Sequence, residues 1–91
     1  MNGVIARQVR VHGDVQGVSF RATCQGEAQV RGVTGWARNE PDGTVSAWFE
    51  GVAEAVEAMI EWCRGGPRAA RVTKVEVEVV TPRQRRRFDI G

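Results

Sequence analysis

The sequence has few of the residues from which metal and redox sites are usually built. Its 91 residues include one histidine, His12, and two cysteines, Cys24 and Cys63. The spacing of the cysteines matches neither a CxxC redox motif nor a pattern of zinc ligands. Because one imidazole and two thiols do not make up a common zinc site, we expect the protein to bind neither a metal nor another cofactor.

Long apolar runs and a strong excess of charge of one sign are also missing. The apolar runs are pairs and triplets, far short of the roughly 20 residues that a membrane span needs. The N-terminal segment MNGVI lacks a basic region followed by an apolar stretch, so we expect no signal peptide. A formal net charge of +2 argues against a dedicated nucleic-acid binder but permits a local anion site. We therefore expect a cytoplasmic protein with neither a membrane nor a nucleic-acid partner.

The hydrophobic pattern predicts both strands and helices in one short chain. Apolar and polar residues alternate around Val9 and Val75, as in half-buried strands, whereas apolar residues recur at helical spacing around Cys24 and Met59. The segment PDG at residues 41–43 is a turn signal, because proline fixes its own φ and glycine supplies a positive φ. The predicted elements are strands over 5–11, 34–39, 44–50 and 74–79, helices over 19–31 and 52–63, and a short closing strand over 88–90.

This order, β-α-β-β-α-β with a tail, predicts an α+β fold of the ferredoxin-like, or split βαβ, type. Right-handed crossovers place both helices on one face of an antiparallel sheet. A length of 91 residues suits one domain, which we expect to span residues 1–91. The helices run antiparallel in this fold, so Cys24 and Cys63 come into the same neighbourhood. A disulfide is geometrically possible, but two reduced, buried thiols are favoured in a cytoplasmic protein.

The most unusual segment is GDVQGVSFR at residues 13–21, in which we call residues 15–20 the anion loop. It joins a strand to a helix N-terminus, with Ser19 as a candidate N-cap. Backbone N–H groups in such a connection can form a concave anion site, to which the first helical turn adds unpaired donors. Arg21 lies in that turn, where the helix dipole disfavours a cation unless an anion is held beside it. The alternative is a tight turn with a solvent-exposed arginine.

Asn39 is the second candidate, because it stands immediately before the turn of the predicted hairpin. Asparagine at a turn often serves the backbone alone. In the split βαβ fold the first and third strands are neighbours, and Asn39 reaches the anion loop only if the sheet is staggered or the hairpin bends over. The sequence leaves that distance open.

At these residues the sequence resembles the acylphosphatase family over essentially its whole length. The motifs that carry the resemblance are GDVQGVSFR at residues 13–21 and GWARNEPDGTV at residues 35–45, with further matches at Gly66-Pro67 and at FDI, residues 88–90. The resemblance implies a ferredoxin-like fold and the metal-free hydrolysis of acyl phosphates to carboxylate and inorganic phosphate by in-line attack of water. We expect a monomer that acts on a small-molecule acyl phosphate.

The same resemblance implies roles for individual residues. Arg21 matches the phosphate-binding arginine of the family, and Asn39 matches its water-orienting asparagine. Thr44 matches a hydroxyl position that helps to place the asparagine. The backbone that matches the family's phosphate site belongs to Val15, Gln16, Gly17, Val18, Ser19 and Phe20.

Other interpretations of the sequence stay open. A ferredoxin-like sheet can also serve as a non-catalytic module that binds RNA or another anion, and a carbamoyl-phosphate-handling domain of a larger maturation protein shares these motifs; the short chain favours a stand-alone enzyme. His12 is an alternative base and Cys24 an alternative nucleophile, although the strand and helix patterns favour structural positions for both. The arginine-rich residues 83–87 are interpreted as a solvated, mobile turn, with an anion-attracting patch as the alternative.

Overall fold

The computed structural model describes residues 3–91, and hydrophobic periodicity predicts most of its elements. The elements are β1 Val4–Asp14, α1 Phe20–Arg31, β2 Thr34–Asn39, β3 Val45–Val52, α2 Ala53–Gly65, β4 Arg71–Val80 and β5 Phe88–Ile90. β1 and β4 reach beyond the alternating apolar residues that predict them. They do so because they pair with each other from Ala6 opposite Val80 to Asp14 opposite Arg71.

The strands form one five-stranded sheet in the order β4-β1-β3-β2-β5. The first three neighbouring pairs are antiparallel, as predicted, but β5 runs parallel to β2, with Phe88 opposite Gly35 and Ile90 opposite Ala37. The predicted antiparallel sheet is therefore confirmed for β1 to β4, and the short closing strand β5 joins its edge in parallel. The last residues of β4 and the first residues of β2 lie at the same end of the sheet. Because β5 follows β4 from that end, it runs in the same direction as β2.

Both helices cover one face of the sheet, and the core lies between these two layers. Phe49 of β3 is fully buried there, and its ring stacks on that of Phe88 with 6.1 Å between the centroids. Burying a phenylalanine side chain contributes about 1.5–3 kcal/mol, so this contact stabilises the short strand β5. The helix residues buried against the sheet are Phe20, Cys24 and Ala28 of α1 and Val56, Met59 and Cys63 of α2, and both cysteines are free thiols.

The opposite face of the sheet, which we call the open face, carries the polar side chains of the strands. Trp36 and Trp48 stack there with ring centroids 6.5 Å apart, and the Arg38 guanidinium lies 4.1 Å from the centroid of the Trp36 ring. Trp48 is only 6% exposed, and the guanidinium groups of Arg83 and Arg85 lie 5.5 and 5.8 Å from its ring. Its ring is therefore covered and unavailable for stacking a nucleic-acid base.

Neither α1 nor α2 has the length and apolar content that a membrane-crossing helix requires.

Candidate active site

A bulge at the end of β1 directs the chain into the anion loop. The register between β1 and β4 shifts between His12 and Gly13. Gly13 has φ of 124°, and a Cβ atom at this position would lie 2.0 Å from the carbonyl oxygen of Arg71. Only glycine fits this close approach without moving β4. The bulge thus fixes where the loop leaves the sheet.

The backbone of the anion loop includes two left-handed residues, Gly17 with φ of 77° and Ser19 with φ of 60°. Left-handed residues set beside right-handed ones turn successive N–H groups toward a common point, which is the geometry of an anion-binding nest. Ser19 occupies the N-cap position of α1, as predicted, but its side chain makes no capping hydrogen bond. A serine in this conformation costs about 1–2 kcal/mol, so the loop holds a shape that the residue does not itself prefer.

Unused backbone donors are concentrated in this loop and at the start of α1. The first hydrogen bond of the helix runs from the N–H of Thr23 to the carbonyl of Ser19. Among the hydrogen bonds formed within residues 3–91, none uses the N–H groups of residues 16, 17, 19 and 20 as donors. The first turn of α1 contains no acidic residue that would offset the helix dipole. These donors and the positive end of the dipole together favour an anion at this position.

Beside the anion loop lies an open cleft of about 390 Å³. Arg21, which is half-buried, and Asn39, which is exposed at the end of β2, both line it. The sequence left the distance between the hairpin and the loop open, and the fold brings them to the same cleft. Of the other predicted site residues, Gln16, Val18 and Thr44 do not line it. The full lining is Val15, Gly17, Ser19, Phe20, Arg21, Ala22, Asn39 and Ile90.

β5 contributes to the cleft in a way that sequence reasoning missed. Arg21 donates a hydrogen bond from Nη1 to the main-chain oxygen of Gly91, which follows directly after β5. The N–H of Gly91 in turn bonds to the carbonyl of Ala37 at 2.9 Å. Ile90 lines the cleft between these contacts. The shared parity of Phe88 and Ile90 indicates a strand, but a three-residue strand carries no signal for its neighbour in the sheet.

The turn that follows Asn39, residues 40–44, is held together by Thr44. The N–H and hydroxyl of Thr44 donate to Oδ1 of Asp42 at 3.0 and 2.6 Å, and the Thr44 carbonyl accepts the N–H of Glu40 at 2.8 Å. The hydroxyl bond, followed by the backbone bond, holds the pKa of the Asp42 carboxyl below its usual value. Arg10, whose side chain lies on the open face, donates a hydrogen bond to the Thr44 hydroxyl at 2.9 Å. Thr44 is thus fixed to the turn next to Asn39.

Gln16 links the anion loop to this turn through its side chain. Its amide nitrogen Nε2 donates to the carbonyl of Glu40 at 2.8 Å and to that of Thr44 at 2.9 Å. The sequence identified Gln16 only as part of the loop backbone. Nothing in the local pattern signals this contact, because the partners lie far along the chain.

Neither of the alternative reactive side chains lies at the cleft. His12 is bonded to Glu76 at 2.7 Å on the open face, and this bond lowers the pKa of the Glu76 carboxyl. The hydrogen bond with Cys63, followed by burial, raises the pKa of the Cys24 thiol, so this thiol stays protonated and unreactive. Within residues 3–91, no three His, Cys, Asp or Glu side chains come together as potential metal ligands.

Comparison with known proteins gives a consistent result. A family model described as acylphosphatase matches residues 7–90. An acylphosphatase from Nocardioides sp. is 51% identical over 85 residues, which cover 93% of this chain and 86% of that protein. The solved acylphosphatase from Bacillus subtilis matches with a TM-score of 0.92 at 33% identity, covering 96% of this chain and 98% of that one. The acylphosphatase from Coxiella burnetii matches with a TM-score of 0.94 at 30% identity, covering 99% and 94%.

Proposed function

The chain belongs to the acylphosphatase family and is an acylphosphatase, and we propose that Arg21 and Asn39 are its catalytic residues, with the anion loop as the binding site for the phosphoryl group. The observation that carries this assignment is the composition of the cleft. It combines the loop with its unused N–H donors, one guanidinium and one side-chain amide, and none of its lining residues is a carboxylate, an imidazole or a thiol. Such a cleft can bind and orient but has no strong acid or base.

Binding of the phosphoryl group is assigned to the loop N–H groups and to Arg21. The reacting phosphorus carries negatively charged oxygens, and fixed donors around them neutralise charge that would repel an incoming water. The planar guanidinium of Arg21 can donate two parallel hydrogen bonds to such oxygens. Its bond to the Gly91 oxygen uses one N–H of Nη1 and fixes the orientation of the group. The remaining N–H groups of Arg21 are then available to the phosphoryl oxygens.

Asn39 is assigned to the attacking water. A side-chain amide is too weak a base to remove a proton early in the reaction, but it can hold a water in line with the bond that breaks. The water oxygen forms a bond to phosphorus, the bond from phosphorus to the acyl oxygen breaks with its electron pair, and a phosphoryl oxygen accepts the water's proton. The leaving group is a carboxylate, a weak base that needs no proton from the enzyme. A cleft without an acidic side chain is therefore sufficient for this reaction.

The test is phosphate release from an aromatic acyl phosphate by the wild type and by Arg21→Gln and Asn39→Ala. Loss of a single preorganised group at a reacting centre lowers kcat by about 10²–10³-fold, and we expect at least this loss from each substitution. Arg21→Gln should also weaken inhibition by inorganic phosphate, whereas Asn39→Ala should leave it unchanged. Arg31→Gln, which removes an exposed arginine at the other end of α1, is the matched control and should keep full activity. Full activity in Arg21→Gln or Asn39→Ala would refute the assignment.

We further propose that residues 1–91 act as one domain and as a monomer, on a small-molecule acyl phosphate and without a nucleic-acid or membrane partner, in the cytoplasm. The two free, buried thiols fit a reducing compartment. The covered ring of Trp48 and the small net charge of +2 fit the absence of a nucleic-acid partner. Sedimentation analysis of the protein, by itself and mixed with single-stranded RNA, tests the monomeric state and the absence of a nucleic-acid partner. A dimer would contradict the first, and a stable RNA complex would contradict the second.

A further inference from the structure

The side chain of Gln16 joins two segments that the sheet does not join. The ladder between β1 and β3 ends at Val11 opposite Val45. Beyond Val11, β1 leads into the anion loop, and Val45 at the start of β3 is preceded by the turn at residues 40–44. Among the hydrogen bonds formed within residues 3–91, those that link residues 14–19 to residues 39–44 are the two donated by Gln16.

Both bonds of Gln16 reach the base of the turn, where its two arms are closest. The acceptors are the carbonyls of Glu40 and Thr44, at 2.8 and 2.9 Å. The same two residues close the turn through the bond from the Glu40 N–H to the Thr44 carbonyl. Asn39 immediately precedes Glu40, so the Gln16 amide holds the backbone next to Asn39 at a fixed distance from the loop.

We propose that Gln16 is a positioning residue for hydrolysis, which sets the distance between the anion loop and Asn39. This inference rests on the proposed function, in which the loop holds the phosphoryl group and Asn39 holds the water. Attack in line with the breaking bond depends on the relative position of these two groups, and a misplacement of 1 Å can lower the rate about 100-fold. The loop N–H groups and Arg21 bind phosphate whether or not the turn is held in place. Loss of the Gln16 hydrogen bonds should therefore lower kcat and leave the affinity for phosphate unchanged.

Gln16→Met tests this inference, because methionine has a similar length but no donor. We expect kcat for an aromatic acyl phosphate to fall about 10–100-fold, with the inhibition constant of inorganic phosphate changed less than about twofold. Val56→Ala, which removes a buried part of α2 that does not line the cleft, is the control for a general loss of stability and should keep kcat. Gln16→Leu, which also removes both donors and adds no charge beside the anion loop, should show the same loss of kcat if the methionine variant does not fold.

A double-mutant cycle separates positioning from a structural role. If Gln16 acts through Asn39, then Gln16→Met should have little further effect on the residual kcat of Asn39→Ala, because the group that it positions is gone. An unchanged kcat in Gln16→Met, an equal loss of phosphate binding, or additive losses in the double variant would overturn the inference. Loss of activity in Arg21→Gln and Asn39→Ala with full activity in Gln16→Met would overturn this inference alone. Full activity in Arg21→Gln and Asn39→Ala would overturn the proposed function itself.

Discussion

The carboxylate of Glu50 accepts the backbone N–H of Gln84 at 2.6 Å. It also accepts the N–H of Arg83 at 2.9 Å and the indole N–H of Trp48 at 3.0 Å, and Glu50 is only 3% exposed. This one carboxylate on β3 therefore anchors the connection between β4 and β5 to the open face. Burial on its own would raise the pKa of Glu50, but the hydrogen bonds from Arg83, Trp48, Gln84 and Arg85 outweigh it and lower the pKa below its usual value.

We expect Glu50→Gln to destabilise the fold by about 1–3 kcal/mol at pH 7, because the buried N–H groups lose a charged acceptor. The pKa of Glu50 is lower in the folded state than in the unfolded state, where it lies near 4.5. The ionised carboxylate therefore stabilises the fold fully above pH 4.5, and this stabilisation is lost as the pH falls through the folded pKa. Urea unfolding of the wild type and variant at pH 7 and pH 3 measures this, and the difference between them should shrink at pH 3. A difference that is the same at both pH values would contradict the role of the ionised carboxylate.

Inorganic phosphate should raise the Tm of the wild type, because a ligand that binds only the folded state stabilises it. At ten times Kd the gain is about 1.4 kcal/mol, or several degrees for a domain of this size. Arg21→Gln should show a much smaller shift, since a charged donor at the proposed site is lost, whereas Arg31→Gln should show the full one. Equal shifts in all three proteins would mean that phosphate binds elsewhere.

Gly13→Ala should lower stability by more than about 2 kcal/mol and reduce activity. An alanine Cβ would meet the Arg71 carbonyl at 2.0 Å, and φ of 124° is unfavourable for any residue with a side chain. Gly26→Ala in α1 is the matched control, because its Cβ meets no atom within 4 Å and alanine favours a helix by about 1 kcal/mol. Thermal unfolding should thus show opposite signs for the two substitutions. Equal stability of Gly13→Ala and the wild type would contradict the close packing of the bulge.

Chelation should not affect hydrolysis. The proposed site neutralises phosphate charge with N–H groups and Arg21, and residues 3–91 contain no cluster of three potential metal ligands. The rate of phosphate release is measured after dialysis against EDTA and again after Mg²⁺ or Zn²⁺ is added. Inactivation by EDTA that added metal reverses would refute the metal-free mechanism.

Sequence patterns predicted most of the fold, because most elements show a clear period. The alternation of Val75, Val77 and Val79 with charged residues predicts β4, and the helical spacing of Val56, Met59 and Cys63 predicts α2. The parallel pairing of β5 was not predictable, since it depends on where the preceding connection leaves the sheet. Residues 83–87, predicted to form a solvated turn, are exposed. The sequence did not reveal that the N–H groups of Arg83 and Gln84 bond to Glu50 far along the chain.

The site was predictable to the extent that it follows from local sequence. The anion loop and Arg21 share one continuous motif, so their proximity is set by the strand-to-helix connection. Asn39 depends on how the hairpin of β2 and β3 sits against that loop, which no local pattern encodes. The contact of Arg21 with Gly91 and the side-chain bonds of Gln16 are long-range for the same reason. The catalytic roles of Arg21 and Asn39 stay predictions until the variants are assayed.

The strand order has a consequence for how the protein folds during synthesis. Val11 of β1 lies opposite both Val45 and Val75, so the first strand made is paired on both sides only when β4 is available. Pairing β1 with β4 closes a long loop of chain, and this costs conformational entropy before any contact compensates for it. Folds with many such long-range contacts therefore fold more slowly than helical bundles. The bulge at Gly13 forms against Arg71 on that late strand. In a nascent chain on the ribosome, Gly13 can therefore pack against Arg71 only after the start of β4 has emerged from the exit tunnel.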